Sequence, residues 1–296
     1  MPAGADLERA GPVRVLRADL VLVDWGPMTL TIAAWRAGRP RPVMAANAAR
    51  TALQVLAELA DFQNYLKRTA DRLPAGRPLP PVVARARRAA MLAPAELTPL
   101  AAVAGAVADE IAEAALALGA DKVIVNNGGD IALRLAGRSQ ATVGIRPPAP
   151  PGEPPAPLMA RLRVRAGQGV GGVASSGWSG RSFSPGLAEL VTVWAAEAAI
   201  ADAAATHIAG RADVDSPAVI RAPAADLDPA SDLGRRLVVT RVGRLDPDER
   251  AAALAAGQAA ALALHRAGHI QGCLIAVQGE LAILDSSRRL SPAPVR

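Results

Sequence analysis

Val123-Ile-Val-Asn-Asn-Gly-Gly-Asp130 sets three β-branched apolar residues directly before two amides, two glycines and an acid. Val and Ile fit a pleated, buried surface, so the run reads as a strand built into a core. The glycines admit backbone conformations closed to other residues and let a ligand come close. Asn126, Asn127 and Asp130 place donors, acceptors and a carboxylate at the strand end. Ile131-Ala-Leu-Arg-Leu135 reads as a returning strand, and Asn-Gly is a strong hairpin signal. At this level the stretch serves equally well as a plain hairpin turn and as a ligand site.

Upstream, Thr98-Pro99 opens a helix to about Leu118, with Thr98 as N-cap, Pro99 at the first helical position and Gly119 closing it. Asp109 and Glu113 share a face of that helix, and Gly105 marks a close approach, either crowding or room for a ligand. Before it, Val13 to Val23 and Met28 to Trp35 read as a hairpin around Asp24-Trp-Gly-Pro27, and Pro42 to Lys67 as a long helix. Val82 to Met91 is open between helix and extended chain.

Downstream, Thr142 to Arg146 and Leu158 to Ala166 read as strands on either side of a Pro-rich surface loop, 147–157. Gly167 to Gly186 is rich in Gly and Ser and carries Trp178 and Arg181. Its backbone N–H groups and one guanidinium suit phosphate, although a flexible loop has the same composition. It fits neither a P-loop nor a dinucleotide fingerprint. Leu190 to Trp194 leads into a helix to about Ala209, on which Asp202 and Thr206 lie four apart on one face. A carboxylate with a hydroxyl is hard-oxygen chemistry suited to Mg; an exposed polar stripe is the bland alternative. His207 points to another face and reads as packing or solvent. Asp213 to Asp232 reads as irregular, Arg236 to Val242 as a strand and Pro247 to Ala267 as a helix. Ile270 to Val277 and Leu281 to Leu284 read as a closing hairpin. Paired strands beside long helices predict an α+β fold: one domain over 1–296, antiparallel or mixed sheets packed by long helices.

With 51% apolar residues but 2% aromatic, the core must be built from Ala, Val, Leu and Ile, so Trp25, Trp35, Trp178 and Trp194 stand out as anchors or ligand contacts. The net charge of +6 is almost all Arg, with Lys67 and Lys122 the two lysines and no basic–aromatic alternation, so no nucleic-acid partner is expected. A small phosphorylated ligand fits that charge equally well. Cys273 is the single cysteine and lies in an apolar stretch, which excludes an intrachain disulfide and a multi-thiolate metal site. Residues 1–22 carry no basic start followed by an apolar run, and the Ala-rich stretches are broken by charges. No leader, no membrane span and a cytoplasmic location are expected, with a homodimer expected on general grounds.

Taken in order, Gly105-Ala-Val-Ala-Asp109, Val125-Asn-Asn-Gly-Gly-Asp130, Ala174-Ser-Ser-Gly177 and Ala201-Asp-Ala-Ala-Ala-Thr206 resemble the ApbE-like superfamily. Its best-known members are FAD:protein FMN transferases, which bind FAD, use Mg and move FMN onto a Thr of a target protein. The likeness is strongest to a branch sharing the Val-Asn-Asn-Gly-Gly-Asp-Ile-Ala-Leu and Ser-Gly-Trp-Ser-Gly-Arg-Ser-Phe-Ser wording. The resemblance implies an ApbE-like domain and a flavin nucleotide site at Asn126, Asn127, Gly128, Gly129 and Asp130. It implies Mg ligands at Asp202 and Thr206, and Ser176-Gly177 near a pyrophosphate. Ser175, Ser182 and Asp109 are further expected ligand contacts, and Asp130 and Arg181 the expected catalytic groups. The chain also departs from the transferases: their His-Ile-Ile/Leu-Asp-Pro run is Arg181-Ser-Phe-Ser-Pro185 here, and their Lys before the helix Gly is Ala104. The expectation is flavin handling or coenzyme biosynthesis, as a transferase or hydrolase on FAD or a related nucleotide, with transfer onto protein disfavoured. A non-catalytic flavin-binding protein is the alternative.

Overall fold

The computed structural model describes residues 11–74, 76, 78–149 and 153–292; the short polar start and 150–152 of the Pro-rich loop lie outside them. The described chain runs β1 (Val13–Arg17), β2 (Leu20–Trp25), β3 (Met28–Arg36), β4 (Arg39–Pro40), α1 (Pro42–Asp61), α2 (Gln63–Leu66), α3 (Pro81–Ala90) and α4 (Val103–Ala117). Next come β5 (Lys122–Asn127), β6 (Asp130–Leu135), β7 (Gln140–Ile145), β8 (Ala160–Arg165), β9 (Gly172–Ser176), β10 (Leu190–Ala195) and α5 (Ala198–Arg211). The last are β11 (Val219–Pro223), α6 (Ala224–Leu227), β12 (Leu237–Val242), α7 (Pro247–Arg266), β13 (Ile270–Val277), β14 (Glu280–Leu284) and β15 (Leu290–Pro292).

The main sheet has 10 strands in the order β1-β2-β3-β5-β6-β9-β10-β13-β14, with β4 paired to β3. Every strand pair is antiparallel, so the fold is α+β, as expected. Helices cover one face. On α1, Ala45, Ala48, Ala49, Ala52, Val55 and Leu59 fall at helical spacing and pack with Leu30, Ile32 and Val125 of the sheet. α5 and α7 cover the other half of that face over Val191, Val193 and Ile275. A three-stranded sheet, β15-β8-β7, lies on the opposite face over Trp194, Leu190 and Leu274. β10 is therefore buried on both faces, which explains a run of six buried residues without alternation. Gly272 makes room for the buried Trp194 indole: a Cβ there would lie 2.4 Å from its Cζ2.

Several local expectations change. Val13 to Val23 is two strands with a turn between Arg17 and Leu20, across which Arg17 and Asp19 form an exposed ion pair, 2.9 Å. Val82 to Ala90 is helical, with Met91 as the C-cap. Thr98 is not a side-chain cap; its hydroxyl donates to Asp232, and a 3₁₀ turn, Pro99–Ala102, precedes α4. The Gly/Ser-rich segment contains β9, and Asp213 to Asp232 contains β11 and α6. α7 follows its local signals closely: Pro247 at N1 and a reciprocal capping box between Asp246 and Glu249. No helix among the described residues is long and apolar enough to cross a membrane.

Candidate functional site

The β5–β6 turn is a hairpin, and it also lines a cleft. Gly128 and Gly129 take φ of +64° and +116°, the positive pair that a two-residue hairpin needs. Asn126 Oδ1 accepts the Gly129 N–H at 2.8 Å and locks the turn. The same turn forms one wall of a cleft of about 1180 Å³, bounded also by the segment after β9, by α5 and by the 228–236 loop. Pro147, Pro148 and Pro155 of the Pro-rich stretch line it as well.

The separate motifs meet here. Arg181 Nη2 donates to Gly128 O at 3.3 Å, and a Cβ on Gly128 would lie 1.8 Å from that nitrogen. Gly128 is thus required by its backbone angle and by the guanidinium across from it. The Ser175 N–H donates to the Asp130 carboxylate, whose Oδ1 is buried without a hydrogen-bond partner. Ser175 Oγ lies 2.8 Å from Thr192 Oγ1 of β10. Gly177 is required by crowding, because a Cβ there would lie 2.3 Å from Glu189 O. Ser176, Gly177 and Ser182 all line the cleft.

Asp130 faces Asp202 of α5. Burial pushes the Asp130 carboxyl up to about 7, against the pull of the Ser175 N–H and the Arg181 charge. Burial also raises Asp202 well above the usual carboxylate range; the negative charge of Asp130 adds to this, the Gly105 N–H opposes it and Asp109 adds again. Thr206, one turn beyond Asp202, lines the same cleft. Among the described residues no three His, Cys, Asp or Glu side chains converge on a metal position. The donor set is instead two like-charged carboxylates and a hydroxyl, with one carboxylate oxygen unpartnered. That set fits Mg, which commonly takes one or two carboxylates and leaves its other positions to water and substrate phosphates.

Asp109 and Asn127 stand outside the cleft wall. The Asp109 carboxylate is fully buried and accepts the Ala198 and Ala199 N–H groups at 3.2 and 3.0 Å and Arg134 Nη2 at 2.8 Å. It caps the start of α5, where backbone donors lack helical partners, and its full burial keeps it from the cleft. Asp202 returns the arrangement: it accepts the Gly105 N–H, in the first turn of α4, at 2.9 Å. Each helix thus supplies a carboxylate to the other's N-terminus. Gly105 is the point of closest approach, with a Cβ there only 2.3 Å from Ala198 O, so crowding rather than a ligand explains it. Asn127 Nδ2 donates to Ala104 O at 3.0 Å and ties the turn to α4.

The far wall was not legible from the chain. His207 lines the cleft, its Nδ1 3.2 Å from Glu96 Oε2 but without hydrogen-bond geometry. Burial lowers its pKa, Glu96 opposes this and Arg211 reinforces it. Arg236 Nη1 donates to Glu96 O at 2.8 Å. Asp228 and Asp232 complete this side. They come from a loop with no motif, and nothing in their spacing marks them.

A protein-family model described as AbpE bacteria matches residues 14–283. A UPF0280 protein of Methanopyrus kandleri is 39% identical over 145 residues, 48% of this chain and 56% of that protein. One of Methanothrix thermoacetophila is 40% identical over 119 residues, 40% of this chain and 47% of that protein. The chain thus spans about half the length of the curated relatives it matches. Among solved structures, the flavinyl transferase ApbE of Pseudomonas stutzeri superposes with a TM-score of 0.38 at 18% identity, over 66% of this chain and 85% of that one. The ApbE protein of Thermotoga maritima gives 0.46 at 13% identity, over 90% and 97%. Likenesses this distant assign no residue a role.

Proposed function

Because the chain belongs to the AbpE bacteria family, we propose that it binds and acts on a phosphorylated nucleotide-type ligand, FAD or a relative, together with Mg. The observation that carries this reading is the pairing of Asp130 and Asp202 on one cleft wall. Two buried carboxylates, each raised by burial and one raised further by the charge of the other, are a costly arrangement in a protein interior unless a cation joins them. Asp130, Asp202 and Thr206 would hold the ion, and a bound Mg would neutralise phosphate oxygens. Arg181 and the backbone at Ser176-Gly177 would take the remaining phosphate charge. The chemistry that this favours is cleavage or transfer at a pyrophosphate linkage.

Calorimetric titration of FAD with and without Mg tests the reading. FAD should bind more tightly with Mg, and Asp202→Asn should remove that difference. Equal FAD affinity in Mg and in chelator would sink it. A second reading, binding without turnover, is favoured by Arg181 itself. It stands where the resembling transferases carry a His, and a guanidinium holds its charge at every physiological pH. Flavin binding with no FAD consumed under Mg would select that reading.

A further inference from the structure

Phe183 is a large apolar residue left 37% exposed, and it lines the cleft. The chain has only two Phe, one Tyr and four Trp. Among the described cleft-lining residues, Phe183 is the one Phe, Tyr or Trp. It does not sit on a slack loop. Two residues before it, Arg181 is bonded to Gly128 O. One residue after it, Ser184 is buried and its carbonyl accepts the Val239 N–H of β12 at 2.9 Å. Pro185 then packs on Gly210 of α5, where a Cβ would lie 3.6 Å from its Cδ. The chain just after the ring is therefore fixed to β12 and α5, and Phe183 lines the cleft from that anchored end.

An apolar ring kept in water costs free energy that a flat partner would recover. We propose that Phe183 is the platform on which the aromatic ring system of the ligand stacks, and so the residue that selects a phosphorylated heterocycle over a simple phosphate. The Arg181 and Phe183 Cα atoms are at most about 7 Å apart along the chain. Both residues line the one cleft, so a single nucleotide half would meet Arg181 with its phosphate and Phe183 with its ring. Arg181 reads charge, as does the pair of acids; Phe183 reads the π face. The inference rests on the nucleotide reading above.

The test uses the full chain with Mg and four probes: FAD, ATP, riboflavin and inorganic pyrophosphate. Binding is followed by calorimetry and, for the flavins, by fluorescence quenching. Phe183→Ala should weaken the ring-bearing probes about tenfold, within the range for base–aromatic stacking, and leave pyrophosphate unchanged. Phe183→Leu, which keeps apolar bulk without a π face, should also lose affinity, and Phe183→Trp should restore it with stronger flavin quenching. Thermal unfolding of each variant separates these effects from misfolding. The proposal is overturned if Phe183→Ala binds every ring-bearing probe as the parent protein does. It is equally overturned if the parent protein holds pyrophosphate as tightly as FAD and ATP. If the parent protein binds none of the four probes, pyrophosphate included, the nucleotide reading itself has failed and takes this inference with it.

Discussion

Asp109 and Asp202 begin from the same position and end in opposite states. Each lies on one of two close-packed helices, and each accepts backbone N–H groups at the N-terminus of the other. What differs is the second neighbour. Asp109 meets Arg134, which also reaches Glu113 and the Gly171 carbonyl, so its charge is matched within the fold. Burial pushes Arg134's pKa down, but Asp109 and Glu113 outweigh it and hold the guanidinium above its ordinary value. Asp202 meets another acid, whose charge adds to burial in raising it. One carboxylate is neutralised within the fold and the other is not; on the proposed function the second is the one that binds.

Replacing Asp109 should break the first half of that contrast with the largest effect on stability. Asp109→Ala takes from Arg134 its buried acidic partner, leaving only the half-exposed Glu113, and orphans two N–H groups of α5. Removing one partner of a buried pair costs about 3–5 kcal/mol, and urea unfolding should show a loss of that order. Asp202→Asn should do the reverse. The amide keeps an oxygen for the Gly105 N–H and removes a repelling charge, so stability should stay within about 1 kcal/mol of the parent. Mg-dependent ligand affinity should be lost. If Asp202→Asn proves as destabilising as Asp109→Ala, the two carboxylates are equivalent structural caps and the contrast is wrong.

The contrast also shows where reading the chain stops. Asp202/Thr206 and Asp109/Glu113 look alike in sequence, since i,i+4 spacing gives a helix face and not what lies across from it. The Asn126–Asp130 turn was readable because its glycines, amide and acid act within a few residues of one another. Thr98 was misread because its hydroxyl is taken by Asp232, far along the chain. β9 was hidden by its glycines: Gly172 is there because a Cβ would lie 2.2 Å from Ala198 N, not to loosen the chain. The far wall at His207 and Asp228 to Arg236 exists only once the 228–236 loop is bonded to Glu96 and Thr98, far along the chain.

Gly128→Ala sharpens the comparison on the ligand side. It forces a non-glycine residue to φ +64° and displaces Arg181. The backbone term is about 1–2 kcal/mol, and because Arg181 is an exposed side chain that can swing away, stability should fall by little more. FAD affinity should fall further than stability does, since the displaced guanidinium no longer faces the phosphates. Equal FAD binding in Gly128→Ala would remove Arg181 from the site.

The smallest effect is a slope. Asp130 is raised to about 7 and Asp202 is raised as well, so between the ordinary carboxylate range and neutrality the folded chain holds protons that the unfolded chain has released. Stability then falls as pH rises. The contribution is fully present below the unfolded carboxylate pKa of about 4 and is lost as pH rises through the folded values. Urea midpoints should therefore drop between about pH 5 and pH 8 in metal-free buffer. Asp130→Asn should flatten the drop, since the amide has no proton to lose and leaves Asp202 without its repelling neighbour. Saturating Mg should flatten it too, because an ion between two carboxylates favours the deprotonated pair that pH otherwise penalises. A midpoint that instead climbs over this range would mean that the two acids are already neutralised within the fold, as Asp109 is by Arg134.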